Sequence, residues 1–259
     1  MPGHRMLMIS DHVDDAPAVK TVLFQYPMVA APGQFVMVWV PGVDEFPMSV
    51  SYVGDSFGFT YQILGDGTKA LAAMKSGKVI GIRGPYGHGF SIRGKRLLMV
   101  AGGLGMAPIA PFVEQAIEHG STVDLVIGAK SASNLLFEER ASRAGARVHV
   151  ATDDGSKGFK GFASDLAATL LEKEKFDWVY TCGPEIMMVK VLELATRKGI
   201  PVQASLERLM KCGIGICDSC AIDGKHVCKD GPVFSDKDLR VLSDLGRAKL
   251  DLSGRRVPV

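Results

Sequence analysis

The chain has 259 residues, of which 47% are hydrophobic and 22% charged, with a formal net charge of +2. These proportions are ordinary for a globular protein with a real core, and so weak a charge leaves no electrostatic footprint for nucleic acid or an anionic membrane surface. Five cysteines do not form an even disulfide set, which favours a reducing compartment and a cytoplasmic protein. The apolar run Met6–Ile9 is too short for a secretory signal. The longest uncharged stretch, Leu97–Val113, carries three glycines and two prolines and is a strand, a turn and a helix start, not a membrane span.

In chain order, short apolar runs recur near residues 5–9, 19–24, 34–40, 49–53, 57–63 and 79–83, with Gly and Pro between them. Six short strands at this spacing predict a small antiparallel barrel. Pro47-Met48-Ser49 falls on one of these strands. Gly65-Asp66-Gly67-Thr68-Lys69 is a Gly-rich turn ahead of an apolar helical stretch, Ala70–Met74. The amides of such a turn and the Thr68 hydroxyl suit a phosphate, although a plain turn has the same sequence. His88 belongs to a loop, and the six histidines show no metal spacing.

The pattern changes near residue 96. Leu97-Leu98-Met99-Val100-Ala101 is a continuous apolar run, as in a parallel strand buried on both faces. Further strands are predicted at 123–128, 147–151, 177–181 and 201–205, and helices at 107–119, 134–144, 162–173 and 185–198. Ser133 or Asn134 is the expected cap of the second helix, and Pro184 fits the first turn of the last. This alternation predicts a doubly wound parallel sheet. Gly103-Leu104-Gly105-Met106-Ala107-Pro108 lies between the first parallel strand and its helix, where glycines let a pyrophosphate approach the backbone. Cys182-Gly183-Pro184 ends a later strand on the ligand-binding edge of such a sheet. Cys182 there is equally well placed beside a nicotinamide ring or as a small core residue.

The last fifth holds Cys212, Cys217, Cys220 and Cys228, spaced C-x4-C-x2-C-x7-C. The first three follow the plant-type ferredoxin spacing for a [2Fe–2S] cluster. Gly213 and Gly215 let the loop wrap a cluster and aim backbone N–H groups at its sulfurs. A structural zinc usually takes two C-x2-C knuckles, and only one is present. A short amphipathic helix is predicted over 236–247, with Leu239, Leu242 and Leu245 on one stripe.

Over residues 5–205, the order Pro-x-Ser, Gly-x-Gly-Thr, Gly-Pro-x-Gly-x-Gly-Phe, Gly-x-Gly-x-x-Pro and Cys-Gly-Pro resembles the ferredoxin-NADP reductase superfamily. The block Cys-Gly-x-Gly-x-Cys-x-x-Cys with Val-Cys-x-Asp-Gly-Pro-Val-Phe is similar to the electron transfer subunits of type B dihydroorotate dehydrogenases, and the resemblance spans essentially the whole chain. It implies an FAD-binding barrel at 1–95, an NAD-binding α/β part at 96–205, and a [2Fe–2S] segment with a tail at 206–259. It implies that Pro47, Met48 and Ser49, the strand Tyr61-Gln62-Ile63, and Gly67 and Thr68 meet the flavin. NAD is placed at Gly103, Gly105, Pro108, Cys182, Gly183 and Pro184, and the cluster on Cys212, Cys217, Cys220 and Cys228.

The implied partner is an FMN-containing catalytic subunit, two copies of each chain together, in pyrimidine synthesis. The implied flow runs from dihydroorotate through that subunit and the cluster to FAD, which returns a hydride to NAD. No general acid or base of this chain is needed. Two positions depart from the family: Phe46 stands where an Arg usually precedes the Pro, and Gln62 where a basic residue is common. Each loses a phosphate contact, which leaves FAD against FMN open, with Arg83 the residue to compensate. Lys130 leaves NADP open beside NAD. The runner-up is a diaphorase-like subunit of a soluble hydrogenase or sulfite reductase, which also carries Met-Lys-Cys-Gly-x-Gly-x-Cys.

Overall fold

The computed structural model describes residues 3–259. Its N-terminal part is a seven-stranded antiparallel sheet curled around an apolar interior. The strands are β1 (Arg5–Met8), β2 (Asp11–Ala16), β3 (Val19–Phe24), β4 (Phe35–Val40), β5 (Asp44–Tyr52), β6 (Phe57–Gln62) and β7 (Val79–Tyr86). They lie in the order β1-β7-β4-β5-β6-β3-β2, with α1 (Asp66–Ala73) between β6 and β7 in sequence and packed on β4 and β5. Inward residues Val22, Phe24, Val36, Val38, Phe57, Phe59 and Tyr61 are fully buried and form the core with Leu71 of α1.

Six strands are expected from the sequence; the seventh is β2. Its sequence, Asp-His-Val-Asp-Asp-Ala, lacks a buried face because it is an edge strand largely open to water. The strand expected at 49–53 starts earlier, at Asp44, and so takes Phe46 and Pro47 into the ladder opposite Val38 and Met37.

The second sheet is built from β8 (Arg96–Gly102), α2 (Met106–Glu118), β9 (Thr122–Ala129), α3 (Glu138–Ala144), β10 (Arg147–Thr152), β11 (Phe159–Lys160), α4 (Ala163–Lys173), β12 (Trp178–Cys182), α5 (Glu185–Arg197) and β13 (Val202–Ser205). Then follow β14 (Ala221–Ile222), β15 (Lys225–His226), α6 (Val227–Asp230), β16 (Val233–Ser235), α7 (Asp236–Leu239), β17 (Ala248–Leu250) and β18 (Arg256–Pro258). The sheet order is β11-β10-β9-β8-β12-β13-β16, parallel except for β16, which runs antiparallel on β13. Leu97 to Ala101 are all fully buried, as a strand covered by helices on both faces requires. Among the described residues no helix is long and apolar enough to cross a membrane.

Three helical expectations are corrected. The helix expected at 134–144 starts at Glu138, because Leu136 turns into the core and Phe137 adopts a left-handed φ of 57°. Ser133 and Asn134 lie in a separate 3-10 turn and cap nothing. Pro184 precedes the first helical residue of α5 in an extended conformation, so it enters the helix from outside. The amphipathic helix expected at 236–247 is a single turn, Asp236–Leu239. Its leucine stripe is real, since Leu239, Leu242 and Leu245 are buried in the core beneath the second sheet. Beyond Leu239 the chain runs on in three-residue turns, and Asp223 accepts from the Ser243 hydroxyl (2.7 Å) and the Asp244 N–H (2.9 Å), tying that segment to the β14–β15 turn.

Arg140 of α3 holds the two sheets together. It forks onto Glu114 of α2 at 2.7 Å, donates to the Ser51 carbonyl of β5 at 2.8 Å, and lies 4.1 Å from the centre of the Tyr52 ring. The bidentate ion pair and the stacked ring fix α2 against the strand that carries Pro47, Met48 and Ser49.

Candidate functional site

The strand order reverses between β8 and β12, the position at which open α/β sheets take their ligands. Both glycine motifs stand there and interlock. A Cβ on Gly105 would lie 2.2 Å from the Cys182 carbonyl oxygen, and one on Gly183 would lie 2.8 Å from that of Gly102. Gly102 is equally closed to a side chain, because Pro184 Cδ and Met187 Sδ stand within 2.9 Å of the Cβ position. The two strand ends therefore approach backbone to backbone, and Gly103 turns the chain with φ +52° into the 103–105 turn before α2. Pro108 is buried within the first turn of α2. Pro184 is exposed and Cys182 is partly buried.

Burial pushes the Cys182 thiol up to about 12, and the Glu207 carboxylate adds to this against the opposing pull of the Ser205 hydroxyl and the Gly183 amide. A thiol held this high stays protonated at neutral pH, so Cys182 offers shape and no base. Ser205 pairs directly with Cys182 across β12 and β13. Neither Ser205 nor Glu207 stands out in the sequence as a neighbour of this strand end; only the pairing brings them there.

The 103–105 turn lies against β6, and α2 packs on β5, so this sheet edge faces the barrel strands on which the flavin contacts are expected. Pro47, Met48 and Ser49 are half-buried on β5. Tyr61 is not free to stack on a ligand: its ring is fully buried in the barrel, and its hydroxyl pairs with His12 Nε2 at 2.7 Å. Its backbone lies in the β3–β6 ladder opposite Lys20, and the Ile63 N–H donates to the Ala18 carbonyl at 2.8 Å, while Gln62 is exposed and Ile63 half-buried. Gly67 is buried against Phe46, where a Cβ would come within 2.6 Å of the ring. Phe46 thus packs under the first turn of α1. The Thr68 hydroxyl accepts from the N–H groups of Leu64 (2.9 Å) and Gly65 (3.2 Å) and so shapes the turn whose remaining amides open the helix.

Arg83 does not compensate for Phe46. Its Nε and Nη2 fork onto Glu45 at 2.5 and 2.9 Å, and its Nη1 donates to the Cys212 carbonyl at 2.7 Å. Lys130 is exposed just beyond the end of β9.

The four C-terminal cysteines are free thiols brought into one segment. Cys220 and Cys228 are 1% exposed, whereas Cys217 is open to solvent. Gly213 and Gly215 take φ of +72° and +77° and turn the chain so that amides point at sulfur. Ile214 N–H and Ile216 N–H donate to Cys212 Sγ at 3.4 and 3.5 Å, and Gly215 N–H to Cys228 Sγ at 3.1 Å. Burial raises the Cys212 thiol, but these amides and the neighbouring Cys217 outweigh it and bring it down to about 6. Cys228 is pushed up to about 12 by burial and by its hydrogen-bonded neighbour Cys220.

Cys217 is a hydrogen-bonding neighbour of Cys212, and Cys228 has Cys220 beside it and Cys212 within electrostatic reach. Among the described residues, no three or more His, Cys, Asp or Glu side chains gather as a single-ion site. Four neighbouring cysteines supply the two thiolates that each iron of a two-iron cluster takes, and the amides on Cys212 and Cys228 suit its sulfurs.

Comparison with known proteins agrees with this geometry. The family described as "Iron-sulfur cluster binding domain of dihydroorotate dehydrogenase B" matches residues 207–240, and "Oxidoreductase NAD-binding domain" matches residues 99–193. A Methanocaldococcus jannaschii protein described as a probable dihydroorotate dehydrogenase B (NAD(+)), electron transfer subunit is 44% identical, covering 96% of each chain. Its Methanothermobacter thermautotrophicus counterpart, with the same description, is 42% identical over 98% of this chain and 97% of its own. A solved NADH-dependent reduced ferredoxin-NADP oxidoreductase structure, described in terms of flavin-based electron bifurcation, superposes with a TM-score of 0.82 at 30% identity, covering 92% of this chain and 90% of that one.

Proposed function

This chain belongs to the family of electron transfer subunits of dihydroorotate dehydrogenase B (NAD(+)), and from that premise we propose that it carries electrons from a dihydroorotate-oxidising catalytic subunit to NAD. The observation that carries the reading is the seating of the cysteine loop. Gly213 packs on Met37 of the barrel, and Met37 pairs with Pro47 on the strand proposed to hold the flavin.

In this reading Cys212, Cys217, Cys220 and Cys228 hold a [2Fe–2S] cluster. Pro47, Met48 and Ser49, the strand end Tyr61-Gln62-Ile63, and the Gly67–Thr68 turn hold FAD. Gly103, Gly105, Pro108, Cys182, Gly183 and Pro184 shape the nicotinamide nucleotide site. When bound, the cluster supplies one-electron steps and the flavin converts them to a two-electron hydride transfer. The chain's own part is to orient: interlocked glycines bring the nucleotide to the crevice, and a protonated Cys182 leaves the hydride acceptor unchallenged by a base. We assign residues 1–95 to the flavin, 96–205 to NAD and 206–259 to the cluster. The catalytic partner holds FMN, two of each subunit assemble, and the five reduced cysteines suit the cytoplasm.

The test is reconstitution. Dihydroorotate and NAD are supplied to each subunit alone and then to both. This chain alone should pass electrons from NADH to an artificial acceptor and leave dihydroorotate untouched; orotate and NADH should appear together only with both subunits. NAD turnover linked to hydrogen or sulfite with another partner, and none with dihydroorotate, would transfer the chain to the diaphorase-like reading.

A further inference from the structure

Arg83 stands on β7, directly opposite Met37 of β4, which in turn pairs with Pro47 of β5. One row across three adjacent strands therefore runs from the flavin motif to Arg83. The cysteine loop rests on the middle of that row: a Cβ on Gly213 would lie 3.0 Å from Met37 Cγ, and 3.6 Å from Cδ2 of the nearby Tyr86. The Arg83 side chain is 11% exposed, and each of its three nitrogens has an acceptor. Two nitrogens fork onto Glu45, the third donates to the Cys212 carbonyl at 2.7 Å, and the guanidinium sits 5.6 Å from the centre of the Tyr86 ring.

A guanidinium cannot lose its proton in a protein, and its planar fork allows one geometry on a carboxylate. With two corners fixed by Glu45, the direction of the third is fixed too. The carbonyl it holds belongs to the first cysteine of the loop, the same residue whose sulfur takes the Ile214 and Ile216 amides.

Resting on the reading that these cysteines hold a [2Fe–2S] cluster, we propose that Arg83 is a positioning residue for the first cluster ligand, and that the Glu45–Arg83 pair sets how readily the cluster takes its electron. A cluster gains negative charge on reduction, so a fixed cation beside one ligand favours the reduced form, and a carboxylate beside that cation offsets it. The pair moves no proton and no electron of its own; it places the Cys212 loop against the barrel and biases the acceptor.

The two charges make opposite demands, and the experiment uses that. The parent chain, Arg83→Gln and Glu45→Gln are purified anaerobically, and the midpoint potential of the cluster is titrated by electron paramagnetic resonance. Arg83→Gln should lower the potential and Glu45→Gln should raise it, with Arg83→Lys nearer the parent than Arg83→Gln. In iron-free protein, amide exchange over residues 213–216 should be faster in Arg83→Gln than in the parent, since the loop has lost its anchor without any cluster being involved. Shifts of the same sign in both Gln variants, or potentials equal to the parent's, would overturn the proposal. If Arg83→Gln fails to assemble a cluster, the upward shift in Glu45→Gln decides the matter alone. A parent chain without iron and sulfide would instead overturn the cysteine reading itself, which separates the two failures.

Discussion

At the scale of single residues, the site depends on positions where side chains are forbidden or already committed. Gly105 is the sharpest case, because a methyl group there meets the Cys182 carbonyl oxygen at 2.2 Å. Gly105→Ala has to push β12 away from the 103–105 turn, at a cost of about 1–3 kcal/mol typical of overpacking. We expect a lower Tm together with a raised KM for NADH, measured by thermal unfolding and diaphorase kinetics; a KM equal to the parent's would place the nucleotide elsewhere. Thr68 serves its own turn before any ligand, through the Leu64 and Gly65 amides. Thr68→Val should lose about 0.5–2 kcal/mol of helix-end stabilisation and lower flavin retention on gel filtration, with iron content unchanged. Retained flavin would mean that the turn does not carry the pyrophosphate.

At the scale of elements, the buried ion pair of Glu185 and Arg208 ties three segments together. Glu185 opens α5 right after Cys-Gly-Pro, and Arg208 lies in the approach to Cys212. Glu185 also accepts from the Gly246 amide at 2.8 Å, and Arg208 donates to the Glu207 carbonyl at 2.8 Å. The two side chains are 8% and 2% exposed. Arg208→Met therefore strands a buried carboxylate and should cost about 3–5 kcal/mol. Adding Glu185→Gln should recover part of that loss in urea unfolding, and an additive double variant would refute the coupling.

Elements also show what the sequence conceals. The buried run of β8, the glycine turns and the cysteine spacing are local signals, and each is legible because the residues that make it are neighbours in the chain. The Glu45–Arg83 and Glu185–Arg208 pairs are 38 and 23 residues apart, and no periodicity marks them. Edge strand β2 escapes for another reason, since a strand without a buried face has no alternation to read. The leucine stripe at 239–245 is the converse: the burial is correctly foretold, but beyond Leu239 the backbone runs in three-residue turns instead of a helix.

At the scale of the molecule, the cysteine segment is part of the core beneath the second sheet. Cys220, Cys228, Met210, Ile222 and Val227 are buried in one apolar cluster with Leu98, Val100, Val179 and Val202. Ligation and packing should therefore support each other there, as metal binding generally contributes to folding. Removing iron with a chelator should raise amide exchange over residues 206–250 and leave β3, β4 and β6 protected, read by mass spectrometry. Uniform loosening of both sheets would show that the cluster supports the whole chain instead.

The antiparallel strand β16 has an evolutionary consequence. It comes from the far side of the cysteine loop, yet it closes the outer row of β13 through the pairs Gln203↔Ser235 and Ser205↔Val233. A nucleotide-binding part severed before the loop would carry a bare hydrophobic border, ready to recruit strands from other molecules. Genetic exchange that swaps the tail of this chain for another module must deliver a replacement border strand along with the new chemistry. The iron-binding segment is thus inherited as a stitched hem of the sheet, and recombination is expected to move the two as one piece.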